Sequence, residues 1–84
     1  MKTFKDLKVG DTIFCIDCFY PNCLYKYKIL EIEHNQSSII KIRLQGHYSE
    51  FCIYVKANKS IVTDMFSTYY ADAESVLQGV IVQW

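Results

Sequence analysis

Short segments with a period of two residues dominate the chain from Asp11 to about Met65. Successive side chains of a β-strand point to opposite faces, so apolar residues at alternate positions form one buried face. The clearest case runs from Ile40 to Gln45, where Ile and Leu alternate with Lys, Arg and Gln. The pattern predicts a mainly β domain, a small antiparallel barrel of five to six short strands.

Length and charge restrict the classes of protein that the chain can be. A chain of 84 residues has material for only one core, so we expect residues 1–84 to form a single domain. Hydrophobic residues make up 51% of it, enough to fold alone. Nine basic residues balance nine acidic ones, which excludes a broad attraction to nucleic acids or acidic membranes.

The N-terminal segment Met1–Lys8 has no apolar region of the kind that signal peptides carry. No other stretch approaches the roughly 18 to 20 apolar residues needed to cross a bilayer. We therefore expect a cytoplasmic protein without membrane contact. In that reducing compartment its four cysteines are expected to be thiols.

Turn residues divide the chain into strands. Gly10-Asp11 precedes the first strand, Tyr20-Pro21-Asn22-Cys23 is the predicted reversal after it, and Asn58-Lys59-Ser60 forms a later tight turn. The predicted strands are Thr12–Ile16, Leu24–His34, Ile40–Gln45, Phe51–Lys56 and Ile61–Met65.

The strand from Leu24 to His34 changes phase in its middle. Tyr25, Tyr27 and Ile29 occupy odd positions, whereas Leu30 and Ile32 occupy even ones. A β-bulge near Ile29-Leu30 inserts one residue and turns both sets towards the core. Strongly bent strands of this kind are typical of small barrels.

A helical pattern follows the strands from Ser67 to Gln78. Ser67 or Thr68 is a suitable N-cap, and Gly79 is a natural stop. The apolar stripe consists of Tyr69, Ala73, Val76, Leu77 and Val80. We expect the β-branched tail Val80–Trp84 to form a closing strand or to dock on the barrel.

Four thiolates can hold a zinc ion. The candidates here are Cys15, Cys18, Cys23 and Cys52. In a regular strand Cys15 and Cys18 point to opposite faces about 10 Å apart, so chelation requires a turn between them. A disulfide between Cys18 and Cys23 across the Pro21-Asn22 turn is another alternative. We favour cysteines that act as small hydrophobes, and expect no metal and no cofactor.

The remaining titratable residues suggest no catalytic group. His34 lies where a predicted strand meets the following loop and His47 falls in a predicted loop, which favours solvent-exposed histidines over catalysis or metal binding. Glu31 and Glu33 alternate outwards beside lysines, where cross-strand charge pairing explains them. Because no nucleophile, base and orienting group occur together, we expect a protein that is not an enzyme.

The aromatic residues divide into two groups. Phe14, Tyr25, Tyr27, Phe51 and Phe66 fall where a small barrel needs bulky filling, so they are predicted to lie in the core. Tyr20, Tyr48 and Tyr54 lie near turns or on the outward phase. These three tyrosines are the predicted contacts with a protein partner.

Several cations also fall at outward positions. They are Lys26, Lys28, Lys41, Arg43 and Lys56. Together with the Tyr54 ring they form a basic face that would bind phosphates and stack a base, so nucleic-acid binding is the alternative function. The neutral balance of the chain and the usual polar outer face of antiparallel sheets argue against it.

The residues FKDLKVGDTIFCID, the bent strand ending in YKILEI, and the segment FSTYYADAESVL occur in this order along the chain. In this order they resemble the small SH3-like barrel proteins of phages and mobile elements. The resemblance implies an SH3-like barrel with one C-terminal helix. For a chain of such origin it also implies a protein that inhibits or adapts a host complex.

We therefore expect a non-enzymatic binding module for a protein partner. Antiparallel barrels often leave a strand edge open, so the chain is expected to be either a monomer or a homodimer.

Overall fold

The computed structural model of the chain describes residues 2–35, 37–64 and 66–77. Its strands are β1 (Thr12–Asp17), β2 (Tyr20–His34), β3 (Ile39–Gln45), β4 (Glu50–Lys56), β5 (Ile61–Thr63) and β6 (Ser67–Tyr70). A 3-10 turn, Phe4–Asp6, precedes the strands, and residues 73–77 form a short helix after them. The predicted mainly β fold with one helix near the C-terminus is confirmed.

All six strands form one antiparallel sheet in the order β4-β3-β2-β1-β6-β5. The first part of β2 pairs with β1 and its second part pairs with β3, so this strand belongs to both halves of the sheet. Side chains from β3, β4, β1 and β6 meet in one core, which requires the sheet to curl. In the described part of the chain β4 and β5 are its two edges, so the six antiparallel strands form a curled half-barrel.

The predicted bulge in β2 is confirmed. Ile29 pairs with Leu44 and Glu31 pairs with Arg43, which leaves Leu30 as the extra residue. Ile29 is fully buried before the bulge, and Ile32 packs against the core after it. The inserted residue therefore turns Ile29 and Ile32 to the same side, whereas Leu30, which was predicted to join them, is half-buried and outside the core cluster.

The predicted reversal at Tyr20–Cys23 is wrong, because the chain turns at Cys18-Phe19. The Asp17 carboxylate accepts a hydrogen bond of 2.8 Å from the Phe19 backbone N–H, an Asx turn that reverses the chain earlier. Asp17 then pairs with Tyr20, whereas Ile16 pairs with Leu24. The segment 21–23, with its proline, lies in the resulting irregularity of β2, where a missing backbone donor is tolerated.

The predicted helix start at Ser67 or Thr68 is also wrong. Ser67–Tyr70 is strand β6, which pairs with both β1 and β5. Its Thr and Tyr residues suit a strand, and both Tyr69 and Tyr70 are buried there, Tyr69 in the core cluster. The helix begins only after Asp72; there Val76 of the predicted stripe is buried, whereas Ala73 and Leu77 are exposed. The predicted stop at Gly79 and the tail Val80–Trp84 lie outside the described residues.

Asp72 joins the two ends of the described chain. One carboxylate oxygen caps the helix by accepting the Ser75 N–H at 2.9 Å and the Ser75 hydroxyl at 2.7 Å. The other accepts the Lys2 backbone N–H at 2.9 Å. Partial burial opposes ionisation, but the hydrogen bonds from Lys2 and Ser75 outweigh it and lower the pKa of Asp72.

The N-terminal segment covers one end of the core. Phe4 is fully buried, and its backbone N–H donates to the Lys59 carbonyl at 2.9 Å. The Lys5 N–H donates to the Ala57 carbonyl at 3.0 Å, so the 3-10 turn is held against the β4–β5 connection. The segment that precedes the first strand therefore packs over one end of the core.

One cluster of buried side chains forms the core. It comprises Phe4, Leu7, Ile13, Cys15, Ile29, Ile40, Ile42, Leu44, Ile53, Val55, Tyr69 and Ala71. Tyr25, Tyr27 and Phe51 pack against this cluster, as predicted. Phe14 does not join it, because alternation directs Ile13 and Cys15 inwards and leaves Phe14 half-buried on the other face. Phe66 is exposed, which corrects its predicted place in the core.

We expect Gly46→Ala to destabilise the fold. A Cβ atom at this position would lie 2.6 Å from the Ser49 carbonyl oxygen and 3.1 Å from the Phe51 ring. The same carbonyl accepts the Gly46 N–H at 3.0 Å, so it cannot move without breaking the turn. The free energy of unfolding in urea should fall by about 1–3 kcal/mol. Ser49→Ala in the same turn is the control, and an equal loss in both variants would contradict this explanation.

Candidate partner-binding surface

The three predicted partner-binding tyrosines are all exposed and lie on three different elements. Tyr20 begins β2, Tyr48 lies in the β3–β4 loop, and Tyr54 is in the middle of β4. Among the described residues, no ring contact joins any two of them. The predicted exposure therefore agrees with the structure, whereas a single binding surface built from these three tyrosines stays a prediction.

A different pair of aromatic residues meets on the surface. The rings of Phe19 and Phe66 stack with their centroids 5.9 Å apart and their planes 23° apart. Phe19 is 69% exposed and Phe66 is 53% exposed, so the stack remains largely in contact with water. Neighbouring Tyr20 is 62% exposed. We call Phe19, Tyr20 and Phe66 the tip patch, because they lie at adjacent hairpin ends.

Two turns of the same kind present the phenylalanines. The Asp17 carboxylate accepts the Phe19 N–H at 2.8 Å, and the Asp64 carboxylate accepts the Phe66 N–H at 3.0 Å. Asp64 also accepts the Ser67 N–H at 2.9 Å. A backbone hydrogen bond of 2.8 Å from Cys18 to the Phe66 carbonyl ties the two turns together. Local hydrogen bonds therefore fix the backbone at both phenylalanines, and the two rings stack on each other.

The sequence carries a signal for this patch that our sequence analysis missed. Asp-x-Phe occurs twice, at 17–19 and at 64–66. In an Asx turn the side chain of an Asp accepts a hydrogen bond from the backbone N–H two residues later, here that of the phenylalanine. A side chain at this position of a surface turn is exposed unless another segment of the chain covers it. Nothing in the sequence alone, however, shows that the two turns are adjacent.

The predicted basic face carries opposite charges as well. Arg43 donates hydrogen bonds to Glu50 at 2.6 Å and to Glu31 at 3.2 Å. The bond to Glu50 is the main reason that the pKa of Arg43 is raised. Lys41 lies 4.0 Å from Glu33. Two of the five predicted cations therefore already face carboxylates; the others, Lys26, Lys28 and Lys56, are exposed.

The four cysteines lie in four different surroundings. Cys15 is in the core, where burial raises the pKa of its thiol, while Cys18 lies in the β1–β2 turn. Cys23 is exposed in the irregular part of β2, and Cys52 is exposed on β4. All four are free thiols, and residues 2–35, 37–64 and 66–77 contain no group of three metal-ligating side chains suited to an ion. The structure does not bring the four-thiolate candidates together.

The two histidines are exposed, as predicted. His34 ends β2, and His47 lies in the β3–β4 loop, with its ring edge-on to Tyr25 at 5.7 Å and to Tyr27 at 5.8 Å. These contacts give His47 a packing role against the aromatic residues of β2. Glu31 and Glu33 take part in the ion pairs of the charged outer face.

An open cleft of about 300 Å³ separates the two edges of the half-barrel. Its lining residues are Cys52, Ile53 and Tyr54 on the β4 side and Val62, Asp64 and Tyr69 on the other side. Burial raises the pKa of Tyr69 to about 12. The lining therefore combines apolar side chains with the Asp64 carboxylate and with a Tyr69 hydroxyl that stays protonated into the alkaline range.

No family model, curated protein or solved structure matches this chain. In the described part of the chain, no helix has the length and apolar character needed to span a membrane. The function must therefore be inferred from the chain's own surface.

We expect the fold to lose stability at alkaline pH through Tyr69. Its pKa is about 12 in the folded chain against an ordinary value of 10.0, so the folded chain keeps a proton that the unfolded chain releases. Tyr69 therefore contributes full stability below pH 10, and this contribution is lost as the pH rises towards 12. Urea unfolding across this range should show a steeper loss for the native chain than for Tyr69→Phe. Tyr48→Phe, at a fully exposed position, should match the native chain; identical slopes in all three would refute the assignment.

Proposed function

We propose that the chain is a non-enzymatic protein-binding module with an SH3-like barrel fold. The bent β2 that serves both halves of the sheet supports this fold, as does the return of β6 to pair with β1. The short turn that joins β4 to β5 also fits it. The resemblance to barrel proteins of phages and mobile elements favours a host complex as the target.

The observation that carries the binding function is the tip patch. Stacked phenylalanines that remain more than half exposed leave apolar surface in water, which a folded monomer normally minimises. Aromatic side chains held rigidly in place dominate protein interfaces, because little side-chain freedom is lost when they are buried. Tyr20 adds a ring that can also hydrogen-bond through its hydroxyl. A protein partner with an apolar pocket fits this surface best.

The basic face supports nucleic-acid binding less well. Phosphate binding depends on cations that are free to exchange small counterions for phosphates. Arg43 is instead held between Glu31 and Glu50, which leaves this part of the face with an excess of negative charge. The tip patch contains no cation at all. We therefore propose a protein rather than a nucleic acid as the partner.

The double variant Phe19→Ala, Phe66→Ala tests this function. The full chain is immobilised, incubated with extract of its source cells, and the captured proteins are quantified by mass spectrometry. The specific partner should be reduced at least tenfold, since loss of central aromatic residues at an interface costs about 2 kcal/mol or more. The melting temperature should change little, because both rings are mostly exposed.

Tyr48→Ala is the matched control, since it removes a fully exposed ring that does not belong to the tip patch. Capture by this variant should equal that of the native chain. Unchanged capture by the double phenylalanine variant would overturn the proposal. Loss of capture in Tyr48→Ala or Tyr54→Ala alone would move the site to the originally predicted tyrosines.

A further inference from the structure

Three neighbouring strands of the sheet, β1, β6 and β5, carry no basic side chain. The sequence has no Lys or Arg at residues 9–25 or 60–84, so the two hairpin ends that form the tip patch have none. The first cation that follows on β2, Lys26, pairs with Phe14, three residues from Asp17 along β1. The same two stretches contain five carboxylates, which are Asp11, Asp17, Asp64, Asp72 and Glu74. The chain is neutral as a whole, but its charges are separated along the sheet.

Two of these carboxylates belong to the turns of the tip patch and lie beside the same residue. Asp17 pairs with Ser67 across β1 and β6, and Asp64 accepts the Ser67 backbone N–H at 2.9 Å. Both carboxylates also act on the Cys15 thiol. Burial is the main reason that the pKa of this thiol is raised, and the charges of Asp17 and Asp64 add to it. The two acids therefore form one local concentration of negative charge beside the stacked phenylalanines.

Each of the two carboxylates uses one oxygen for its turn. In Asp17 the Oδ1 atom accepts the Phe19 N–H, and in Asp64 the Oδ1 atom accepts the N–H groups of Phe66 and Ser67. Among the described residues, neither Oδ2 atom accepts a hydrogen bond, and neither Asp forms an ion pair. A cation could therefore bind at the Oδ2 atoms without breaking a turn or displacing another side chain.

Exposed rings beside carboxylates without a cation fit a segment that is both apolar and basic. An apolar side chain of the partner covers the rings, and a neighbouring Lys or Arg forms charge-assisted hydrogen bonds with the carboxylates. A neutral partner would remove water from these carboxylates without replacing it by a cation, which is costly. An acidic partner would be repelled, since charges across an interface are normally complementary.

We propose that the tip patch binds a protein segment in which a Lys or Arg neighbours an apolar side chain. The apolar side chain packs on the stack of Phe19 and Phe66, and the cation contacts the Oδ2 atoms of Asp17 and Asp64. The surface is that of the proposed function, on which this inference rests. The inference adds the chemistry of the partner.

A library of random peptides displayed on filamentous phage supplies a defined probe. The immobilised full chain should enrich peptides that carry Lys or Arg next to an apolar residue. The variant Phe19→Ala, Phe66→Ala should not retain them. One enriched peptide, synthesised with a fluorescent label, then serves as the probe, and its affinity for each variant is measured by fluorescence anisotropy.

The double variant Asp17→Asn, Asp64→Asn separates charge from turn geometry. Asn accepts the same hydrogen bonds in an Asx turn as Asp does, so the backbone at both phenylalanines is kept while two negative charges are lost. The variant should bind the probe about 3- to 30-fold more weakly, because two ion pairs are lost. A second probe, in which glutamine replaces the basic residues, should bind the native chain and the variant equally.

Asp11→Asn, Glu33→Gln is the matched control, since it removes two negative charges outside the tip patch. Its affinity for the probe should equal that of the native chain. An equal loss in this control would overturn the inference. So would enriched peptides without basic residues, an Asn variant that binds as tightly as the native chain, or a library in which no peptide depends on the two phenylalanines. None of these results touches the proposed function, which fails only if the phenylalanine variant still captures the cellular partner.

Discussion

A single extra residue in β2 makes the half-barrel possible. With Leu30 left without a partner on β3, one strand supplies inward-facing side chains to both halves of the sheet. Without the insertion, either Ile29 or Ile32 would face water, and the core would lose one of its halves. The curl of the sheet, the meeting of β3 with β6 in one core and the open cleft between the edges all depend on this bend.

Much of the fold follows from alternation along the chain. The strands β3 and β4 and the bulge in β2 are predictable because each position has an obvious inner or outer side. The sequence misled us where local signals compete. Pro21 and Asn22 are typical turn residues, but the chain has already reversed at the Asx turn that Asp17 forms. Ser67 is a typical helix cap, but it begins strand β6, which places Tyr69 in the core.

The tip patch was less predictable than the fold. Exposure of Tyr20 could be inferred from its position near a turn, whereas the Phe19–Phe66 stack depends on contact between two distant hairpins. Phe66 follows an apolar strand, so pattern alone places it inside. Its neighbour Asp64 reverses this outcome, because the Asx turn directs the chain outwards before β6 begins. Ion pairing of Arg43 likewise depends on the register of three strands.

The connection between Lys2 and Asp72 has a consequence for how the protein is made. The Lys2 backbone N–H finds its hydrogen-bond acceptor in Asp72, which is synthesised 70 residues later. The Phe4 backbone N–H likewise donates to the Lys59 carbonyl, so this end of the core can close only after Lys59 has been synthesised. Contacts this distant in sequence form only after the intervening chain has been ordered. The nascent chain therefore keeps one end of its interior open to water, and to chaperones, until synthesis has passed Asp72.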